Sequence, residues 1–313
     1  MLSVRQTIRV QHLSLRTEQA YLKWILHFIR FHKNQHPDQM GASEIRTYLN
    51  WLADQQQVAA STQNQALAAL IFLYRHVIKR EIGPIDGIHF VKKPPRAPTV
   101  LSREEVKRII AFLDGDDSLI TRLLYGCGLR LLEALQLRIM HLDFDNRSII
   151  VFNAKGSKDR RVPLPDSLQA PLREQIERVR LMHQADLQLG LGAVWLPEAY
   201  ARKYQSGNRD FKWQFLFPMS RVSEDPVSGK TYRHHLLAST FQRRLADAIR
   251  QSGITKRASS HTSRHSYATH LLEMGYDIRT VQELMGHVDV RTTMIYTHVI
   301  QASNRLVKSP LDW

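Results

Sequence analysis

The chain has 313 residues, of which 43% are apolar, with a formal net charge of +15 and a pI of about 10.1. This length is enough for two domains with cores of their own. The excess of Lys and Arg favours a polyanionic partner, because a basic surface gains affinity when it releases counterions from phosphates. No apolar run approaches the ~18 residues of a membrane span, and no signal peptide is recognisable, so we expect a cytoplasmic protein without membrane contacts. The single cysteine, Cys127, excludes an internal disulfide and a cysteine zinc site.

Residues 1–90 are expected to form a helical domain. Apolar residues recur at helical spacing in three segments, and each segment therefore predicts a helix with one buried face. Basic residues decorate the same helices, either as a solvated face or as contacts to a nucleic-acid backbone. The apolar positions are Tyr21, Trp24, Ile25, Phe28 and Phe31, then Ile45, Tyr48, Leu49 and Leu52, then Leu67, Leu70, Leu73, Tyr74 and Val77.

A linker is predicted at residues 91–101, VKKPPRAPTVL. Its prolines cannot continue a helix, and they favour an extended, semi-rigid chain. Ser102 follows directly, with Glu105 three residues later, which is the capping box of a new helix. We therefore expect a second domain over residues 102–313.

The second domain is expected to combine helices with one β-hairpin. Residues 147–153 and 160–164 are typical of strands, and the segment KGSKD between them supplies the turn. A helix is expected from about Ser167 to Leu187. A distinct block rich in aromatic residues occupies 188–235. Three short helices are predicted after it, punctuated by Gly275 and Gly286 as C-caps and by Asp277 and Asp289 as N-caps.

The C-terminal helices combine side chains that suit phosphate chemistry. His261 and Arg264 are three residues apart, so their side chains project from one helix face. His287 and Tyr296 follow. Arg and His donate to phosphate oxygens, and a positioned Tyr hydroxyl can act as a nucleophile toward phosphorus. This set fits a DNA phosphodiester as target and a tyrosine-linked protein–DNA product.

Two groups from the preceding segments complete the set. Arg130 ends the segment GCGLR at 126–130, and together with Arg264 it can clamp the non-bridging oxygens of a phosphate. Lys155 at the hairpin tip can donate a proton to a leaving 5′ oxygen. We expect His261 to assist proton transfer from Tyr296, since an unperturbed pKa near ~10 makes tyrosine a poor nucleophile. His287 is expected to donate a further hydrogen bond to the phosphate.

Four segments occur in a fixed order: GLRLLEALQLR at 128–138, KGSKDR at 155–160, HTSRHSYATHLLEMGYDIRTVQELMGH at 261–287 and TTMIYTH at 292–298. On these segments the chain resembles the tyrosine recombinases, and within them the integron integrases, over essentially its whole length. The resemblance implies a mainly α-helical fold with a small β-sheet or hairpin in the catalytic domain, and two domains that close on DNA as a clamp. It implies that residues 1–90 are a core-binding, SAM-like DNA-binding domain.

The resemblance also implies the roles of individual residues. It makes Tyr296 the nucleophile of a type IB topoisomerase-like reaction through a 3′-phosphotyrosyl link. The resemblance implies exchange without ATP or metal, and no high-energy cofactor is required because that link conserves the energy of the phosphodiester. A homotetramer on two DNA sites is implied. The catalytic residues carried over are Arg130, Lys155 (with Lys158 as the alternative lysine), His261, Arg264, His287 and Tyr296.

The aromatic block at 188–235 is an insertion relative to Xer-type recombinases. Within it, AVWLPEAYARKY at 193–204 resembles the additional helix of integron integrases. The resemblance implies folded single-stranded attC hairpins and duplex attI as DNA partners, with bases extruded from the hairpin stacking on protein rings. The candidates for stacking are Trp195, Trp213, His234 and His235, with Lys158 and Arg160 as further DNA contacts. The alternatives are that the tryptophans are core residues and that the histidines are a solvated pair.

Three other interpretations stay open. A Xer-like or phage-type integrase would act on duplex sites with the same chemistry. A catalytically silent DNA-binding protein could use the same scaffold. A metalloenzyme could use His261 with His265, or His287 with His298, although no HExxH motif occurs and Arg264 would repel a cation.

Overall fold

The computed structural model describes residues 2–11, 13–82, 98–152, 159–196, 200, 207–225 and 229–302. The chain divides into two compact units, Met1–Pro95 and Arg96–Trp313. The described residues are mainly helical, with short antiparallel strands in the second unit. Within these ranges, no helix is both long enough and apolar enough to cross a membrane.

The first unit is a helical bundle. The apolar stripes predict α2 to α4, and those helices are present, whereas α1 was not predicted because it buries only a short apolar face through Val4 and Ile8. Ser14 caps α2, since its Oγ accepts from the backbone N–H of Thr17 at 3.1 Å. The helices are α1 (Leu2–Val10), α2 (Leu15–Phe31), α3 (Ala42–Asp54) and α4 (Ala60–Phe72), which continues as a π-helical turn over Leu73–Ile78.

The core of the first unit lies where α2, α3 and α4 meet. Ile25, Phe28, Tyr48 and Leu70 are fully buried there. Burying side chains of this size stabilises a fold by roughly 1.5–3 kcal/mol each. The predicted spacing of these residues therefore identifies the face that holds the bundle together.

The second unit opens with the predicted capping box. Ser102 Oγ accepts from the backbone N–H of Glu105 at 3.1 Å, and the Glu105 carboxylate accepts from the backbone N–H of Ser102 at 2.6 Å. Both of these helix-end donors are thereby satisfied. The first helices of this unit are α5 (Arg103–Ala111), α6 (Gly115–Gly126) and α7 (Leu131–Leu135).

A three-stranded antiparallel sheet follows, in the order β1-β2-β3. Strands β2 and β3 are the arms of the predicted hairpin, and Val151 pairs with Arg160 at the end next to the turn. Ile149, Val151 and Val162 point into the core of the unit. The strands are β1 (Leu142–Asp143), β2 (Ser148–Val151) and β3 (Arg160–Pro163), with a separate pair β4 (Ser223–Glu224) and β5 (Thr231–Tyr232) inside the aromatic block.

The remaining helices carry the C-terminal motifs. Among them, α10 packs against α6 on one side and against α12 on the other, and this burial on several sides explains why it has no broad polar face. Asp277 caps α11 and Gly286 ends it in the left-handed conformation, both as predicted. The helices are α8 (Asp166–Gln188), α9 (Ala238–Gln251), α10 (Ser260–Glu273), α11 (Ile278–Met285) and α12 (Arg291–Ala302).

Candidate active site

Arg264 is the buried arginine of the site. It lies on α10 with a side chain that is almost fully enclosed, and it donates hydrogen bonds to the backbone carbonyls of Gly128 and Met285. Burial lowers its pKa to about 9, with a further lowering from the charge of Arg130. Arg264 therefore stays positively charged at neutral pH, fixed between the loop before α7 and the end of α11.

Glu133 gathers the other arginines around Arg264. Its carboxylate accepts from Arg130 Nη1 at 2.8 Å and from Arg160 Nη2 at 2.7 Å, and it lies 3.8 Å from Arg264 Nη1. Burial by itself would raise the pKa of Glu133, but the hydrogen bonds and charge of Arg160, together with Arg130, hold it at about 2. Three guanidinium groups thus surround an ionised carboxylate, and the cluster keeps a net positive charge that suits a phosphate.

Two glycines allow this close approach. Gly128 has a φ of +63°, and a Cβ at that position would lie 2.4 Å from the ring of Tyr267. Gly286 has a φ of +62°, and a Cβ there would lie 3.0 Å from the guanidinium of Arg160. Because neither position has room for a side chain, the loop before α7 and the end of α11 can both close on the arginines.

His287 lies directly after Gly286, and both of its ring nitrogens are engaged. Nε2 is 3.3 Å from Arg264 Nη2, and Nδ1 is 2.9 Å from Thr293 Oγ1. Arginine only donates, so Nε2 accepts and the ring proton is on Nδ1. Burial first, and then the neighbouring arginines, lower the pKa of His287 to about 4. In the free protein the ring is therefore neutral and orients Arg264, so the predicted donation from His287 to phosphate is not available in this state.

Tyr296 reaches the same cluster from α12. The residue is only 1% exposed, and its ring stacks on His287 at a centroid distance of 6.4 Å. Burial raises the pKa of its hydroxyl, while the charges of Arg264 and Arg130 lower it. Its Oη lies 2.8 Å from Nδ1 of His265. The fold thus brings Arg130, Arg264, His287 and Tyr296 together, as the sequence predicts.

The partner of Tyr296 is a correction to the sequence analysis. We expected His261 to assist proton transfer from Tyr296, but His261 is exposed, and the histidine bonded to the hydroxyl is His265. The two imidazole centroids are 6.5 Å apart. Since the residues are four apart on one helix, helical spacing alone could not choose between them.

The predictions for the lysines and for the arginine of the hairpin have different outcomes. Lys155 and Lys158 lie outside the described residues. Arg160 was predicted as a DNA contact, and this prediction does not fit the structure. Its side chain is only 9% exposed, it is paired with Glu133, and its Nε donates to the carbonyl of Leu284 at 2.9 Å. Arg160 links β3 to α7 and α11. The sequence pattern that predicts its burial is strand alternation, which puts Arg160 on the same face as buried Val162.

A cavity of about 570 Å³ lies between the aromatic block and the segments around α7 and β2, and Glu133 is part of its lining. Trp195 is 45% exposed, and His234 and His235 are half-buried on its walls. Burial lowers the pKa of His235, so this imidazole is neutral at pH 7. The cavity is lined by Glu133, Gln136, Leu137, Arg138, Met140, His141, Val151, Phe152, Asp159, Trp195, Tyr200, Trp213, Phe215, His234 and His235.

Trp213 has a different role from the one predicted. It is only 6% exposed and packs with Val194, Leu196 and Phe215, so it is a core residue of the block rather than an open stacking surface. Arg138 lies over the ring of Phe215 at 4.3 Å and over that of Trp213 at 5.7 Å, which fixes the floor of the cavity.

Two further predictions concern the insertion helix and a metal site. Of the predicted insertion helix at 193–204, residues 197–199 and 201–204 lie outside the described residues. For a metal site, no group of three His, Cys, Asp or Glu side chains in the described ranges could hold an ion.

Comparisons with known proteins place the chain in a family. A model described as "Phage integrase family" matches residues 99–302, and one described as "Phage integrase, N-terminal SAM-like domain" matches residues 1–84. A protein of Escherichia coli named integrase/recombinase is 49% identical over 309 residues, covering 99% of this chain and 92% of that protein. Tyrosine recombinase XerC of Lactobacillus delbrueckii subsp. bulgaricus is 30% identical over 275 residues, covering 84% and 79%.

Solved structures agree with the fold. The crystal structure of the XerH site-specific recombinase bound to a palindromic difH substrate matches with a TM-score of 0.65 at 19% identity, over 96% of this chain and 82% of that chain. The Tn1549 transposon integrase in complex with transposon right end DNA matches with a TM-score of 0.64 at 17% identity, over 98% and 99%. The predicted fold class is therefore confirmed.

The chain belongs to the phage integrase family, the tyrosine recombinases. Membership of this family confirms the prediction of an enzyme that recombines DNA by strand transfer.

Proposed function

We propose that this protein is an integron integrase. It integrates and excises gene cassettes at attC and attI sites through a 3′-phosphotyrosyl intermediate, with folded single-stranded attC as a substrate. The observation that carries the proposal is the cavity of aromatic and imidazole rings beside the arginine cluster.

The cavity has the properties that an extruded base requires. Its volume of about 570 Å³ lies within the roughly 300–1,000 Å³ of small-molecule sites. The exposed ring of Trp195 offers a stacking face, and His235 offers a neutral imidazole. Stacking of a base on such a ring contributes about 1–3 kcal/mol, and an unpaired base costs little to extrude.

The position of the cavity links base recognition to cleavage. Glu133 lines the cavity and also binds Arg130 and Arg160. A base held here would lie next to the arginines that hold the phosphate. An extrahelical base could therefore select which phosphate is cleaved, without any reading of base pairs.

The reaction uses the residues of the arginine cluster. Arg130, with 38% of its side chain exposed, and Arg264 hold the non-bridging oxygens. Tyr296 attacks phosphorus, and Lys155 or Lys158 protonates the leaving 5′ oxygen. Since Tyr296 is buried in the free protein, DNA binding must displace its neighbours before the hydroxyl meets phosphate.

The proposed partners follow from strand exchange. Two DNA sites with two protomers each give a homotetramer, with folded attC and duplex attI as substrates. The positive charge of +15 supplies the attraction to the phosphate backbone in either form of DNA.

A second candidate function is a Xer-like recombinase on duplex sites. The observation that favours it is the relationship to proteins named tyrosine recombinase XerC and XerD, at 30% and 29% identity. The catalytic proposal for Arg130, Arg264 and Tyr296 is the same in both functions.

Covalent trapping on nicked suicide substrates tests the proposal. A folded bottom-strand attC hairpin is compared with a perfect duplex of the same sequence, using the wild type and Tyr296→Phe. We expect an adduct on the hairpin that requires Tyr296. An adduct on the duplex alone would replace the integron function with the Xer-like one, and an adduct formed by Tyr296→Phe would refute Tyr296 as nucleophile.

A further inference from the structure

The hydroxyl of Tyr296 rests against an imidazole that the sequence motifs did not assign to the reaction. Nδ1 of His265 lies 2.8 Å from Oη of Tyr296, within hydrogen-bond distance. The two rings are tilted by 50° with centroids 5.5 Å apart. His265 follows Arg264 directly on α10, so one helix carries both a phosphate-binding group and the partner of the phenol.

The physical chemistry of the pair favours one direction for this hydrogen bond. Burial, followed by the charges of His261 and Arg264, lowers the pKa of His265, so the ring is neutral at pH 7. A neutral imidazole has one acceptor nitrogen, and a phenol donates more strongly than it accepts. We therefore expect the Tyr296 hydroxyl to donate to Nδ1, with the ring proton of His265 on Nε2.

The other described histidines near Tyr296 are less suited to take its proton. His287 has Nε2 against Arg264 and Nδ1 against Thr293, so neither nitrogen faces the phenol oxygen. His261 is exposed, and in the free protein it contacts His265 rather than Tyr296. The charged and titratable groups around His265 are thus His261 and Arg264 on its own helix, Tyr296 on α12, and His287 after α11.

We infer that His265 is a catalytic residue, the acceptor of the Tyr296 proton in strand cleavage. The inference rests on the proposed function in one respect, the role of Tyr296 as nucleophile. It extends that function by assigning the general base to a residue outside the six positions that the family resemblance carried over.

In strand cleavage, each bond that forms is matched by a bond that breaks. The Tyr296 oxygen forms a bond to phosphorus while the bond from phosphorus to the 5′ oxygen breaks. The phenol proton passes to Nδ1 of His265, and the 5′ oxygen takes a proton from Lys155 or Lys158. In rejoining, a 5′ hydroxyl attacks phosphorus, the lysine recovers a proton, and the proton on His265 returns to Tyr296.

A second pair on the same helix provides a matched control. His270 Nδ1 lies 2.8 Å from the hydroxyl of Tyr125, and His270 is also hydrogen-bonded to the backbone of Leu101. This pair has the same chemistry and the same distance as His265 with Tyr296, but it lies away from the arginine cluster. A change at His270 therefore reports what the loss of a histidine–tyrosine bond, together with the bond to Leu101, does to α10.

The kinetic test measures single-turnover formation of the covalent adduct from pH 5 to 9, on nicked suicide DNA in both the hairpin and the duplex form. The variants are His265→Asn, His265→Ala, His270→Asn and Tyr296→Phe. The Asn oxygen can accept the phenol hydrogen bond but cannot take the proton. We expect His265→Asn to lower the rate by about 100-fold or more and to remove the rise of rate with pH in the acid range. Added imidazole should restore part of the rate of His265→Ala, and His270→Asn should keep the wild-type pH profile.

A spectroscopic test needs no DNA. Long-range ¹⁵N–¹H correlation spectra of the free protein, with His265→Asn used for assignment, report which nitrogen carries the proton. We expect an unprotonated Nδ1 and a protonated Nε2 on His265 at pH 7. A protonated Nδ1 would overturn the inference, because the phenol would then be the acceptor.

The outcomes separate this inference from the proposed function. An adduct that requires Tyr296 and forms at the wild-type rate in His265→Asn overturns only the role of His265. Equal losses in His265→Asn and His270→Asn, without imidazole rescue, also overturn it, since both changes would then act through the stability of α10. An adduct formed by Tyr296→Phe overturns the nucleophile assignment itself, and the role of His265 with it.

Discussion

Arg160 and Glu133 form a bidentate ion pair inside the second unit. Nη1 and Nη2 of Arg160 lie 3.0 and 2.7 Å from the two carboxylate oxygens of Glu133. A planar guanidinium matches a carboxylate in this way, whereas a lysine cannot. The same arginine holds the carbonyl of Leu284 through Nε, so one side chain links β3, α7 and α11 around the candidate site.

Replacing Arg160 tests this link. Arg160→Lys keeps the charge but loses the forked contact and the bond to Leu284. Since a hydrogen bond to a charged group contributes about 1.5–3 kcal/mol, we expect a loss of stability of about 2 kcal/mol or more. Differential scanning calorimetry measures it. Arg161→Lys is the control, because Arg161 is 61% exposed at the side chain and should change stability by no more than about 0.5 kcal/mol. Equal effects of the two changes would argue against the bridging role.

Glu133 predicts a pH dependence of stability. Its pKa is about 2 in the folded protein, against an ordinary value of 4.5. A lowered carboxylate pKa stabilises the fold above pH 4.5, and the contribution is lost as the pH falls from 4.5 toward 2. The full contribution is on the order of 3 kcal/mol. Glu133→Gln should therefore be clearly less stable than the wild type at pH 7, and the gap should narrow at pH 3. A difference in stability between the two proteins that does not change with pH would show that the ion pair is not its cause.

Gly128 is predicted to be intolerant of any side chain. Gly128→Ala combines the positive φ, which costs roughly 1–2 kcal/mol, with a clash against Tyr267 that adds about 1–3 kcal/mol. Gly253→Ala is the matched control, since its φ is +68° and nothing lies within 4 Å of the added Cβ. Thermal unfolding of both variants should give a clearly larger loss for Gly128→Ala. Similar losses would mean that the Tyr267 ring moves aside.

Local signals in the sequence predict the elements that hold the site. The cap at Asp277 works through hydrogen bonds to Arg279 and Thr280, and the left-handed end at Gly286 needs only a glycine, so both can be recognised within a few residues. The hairpin arms follow from alternation in the same way. These elements therefore appear where the pattern predicts them.

Contacts between distant segments are less accessible to sequence reasoning. His265 and Tyr296 are 31 residues apart, and helical spacing presents His261 and His265 equally well. Whether Trp213 lines a surface or fills a core depends on Val194 and Leu196, which pack with it from an earlier part of the block. Strand alternation predicts that Arg160 lies inside with Val162, whereas its charge alone is equally typical of a DNA contact.

The cavity predicts a selective loss of hairpin binding. Trp195→Ala removes an exposed stacking ring, and His234→Ala with His235→Ala removes two imidazoles. If an extruded base stacks here, affinity for a folded attC hairpin should fall by about 1–3 kcal/mol per lost stacking contact. Affinity for the same hairpin without its extrahelical bases should be unchanged, and so should affinity for duplex. Fluorescence anisotropy at a fixed salt concentration measures all three, because the phosphate contribution depends on salt.

The buried tryptophan of the block is the control for that experiment. Trp213→Ala should destabilise the fold by about 3–5 kcal/mol, as expected for a buried aromatic ring, and lower binding to all three DNAs together. Trp195→Ala, a change at an exposed ring, should leave stability within about 0.5 kcal/mol of the wild type. Equal losses of affinity for hairpins with and without extrahelical bases would show that Trp195 and the two histidines are general DNA contacts. The proposed integron function would then no longer be supported by the cavity.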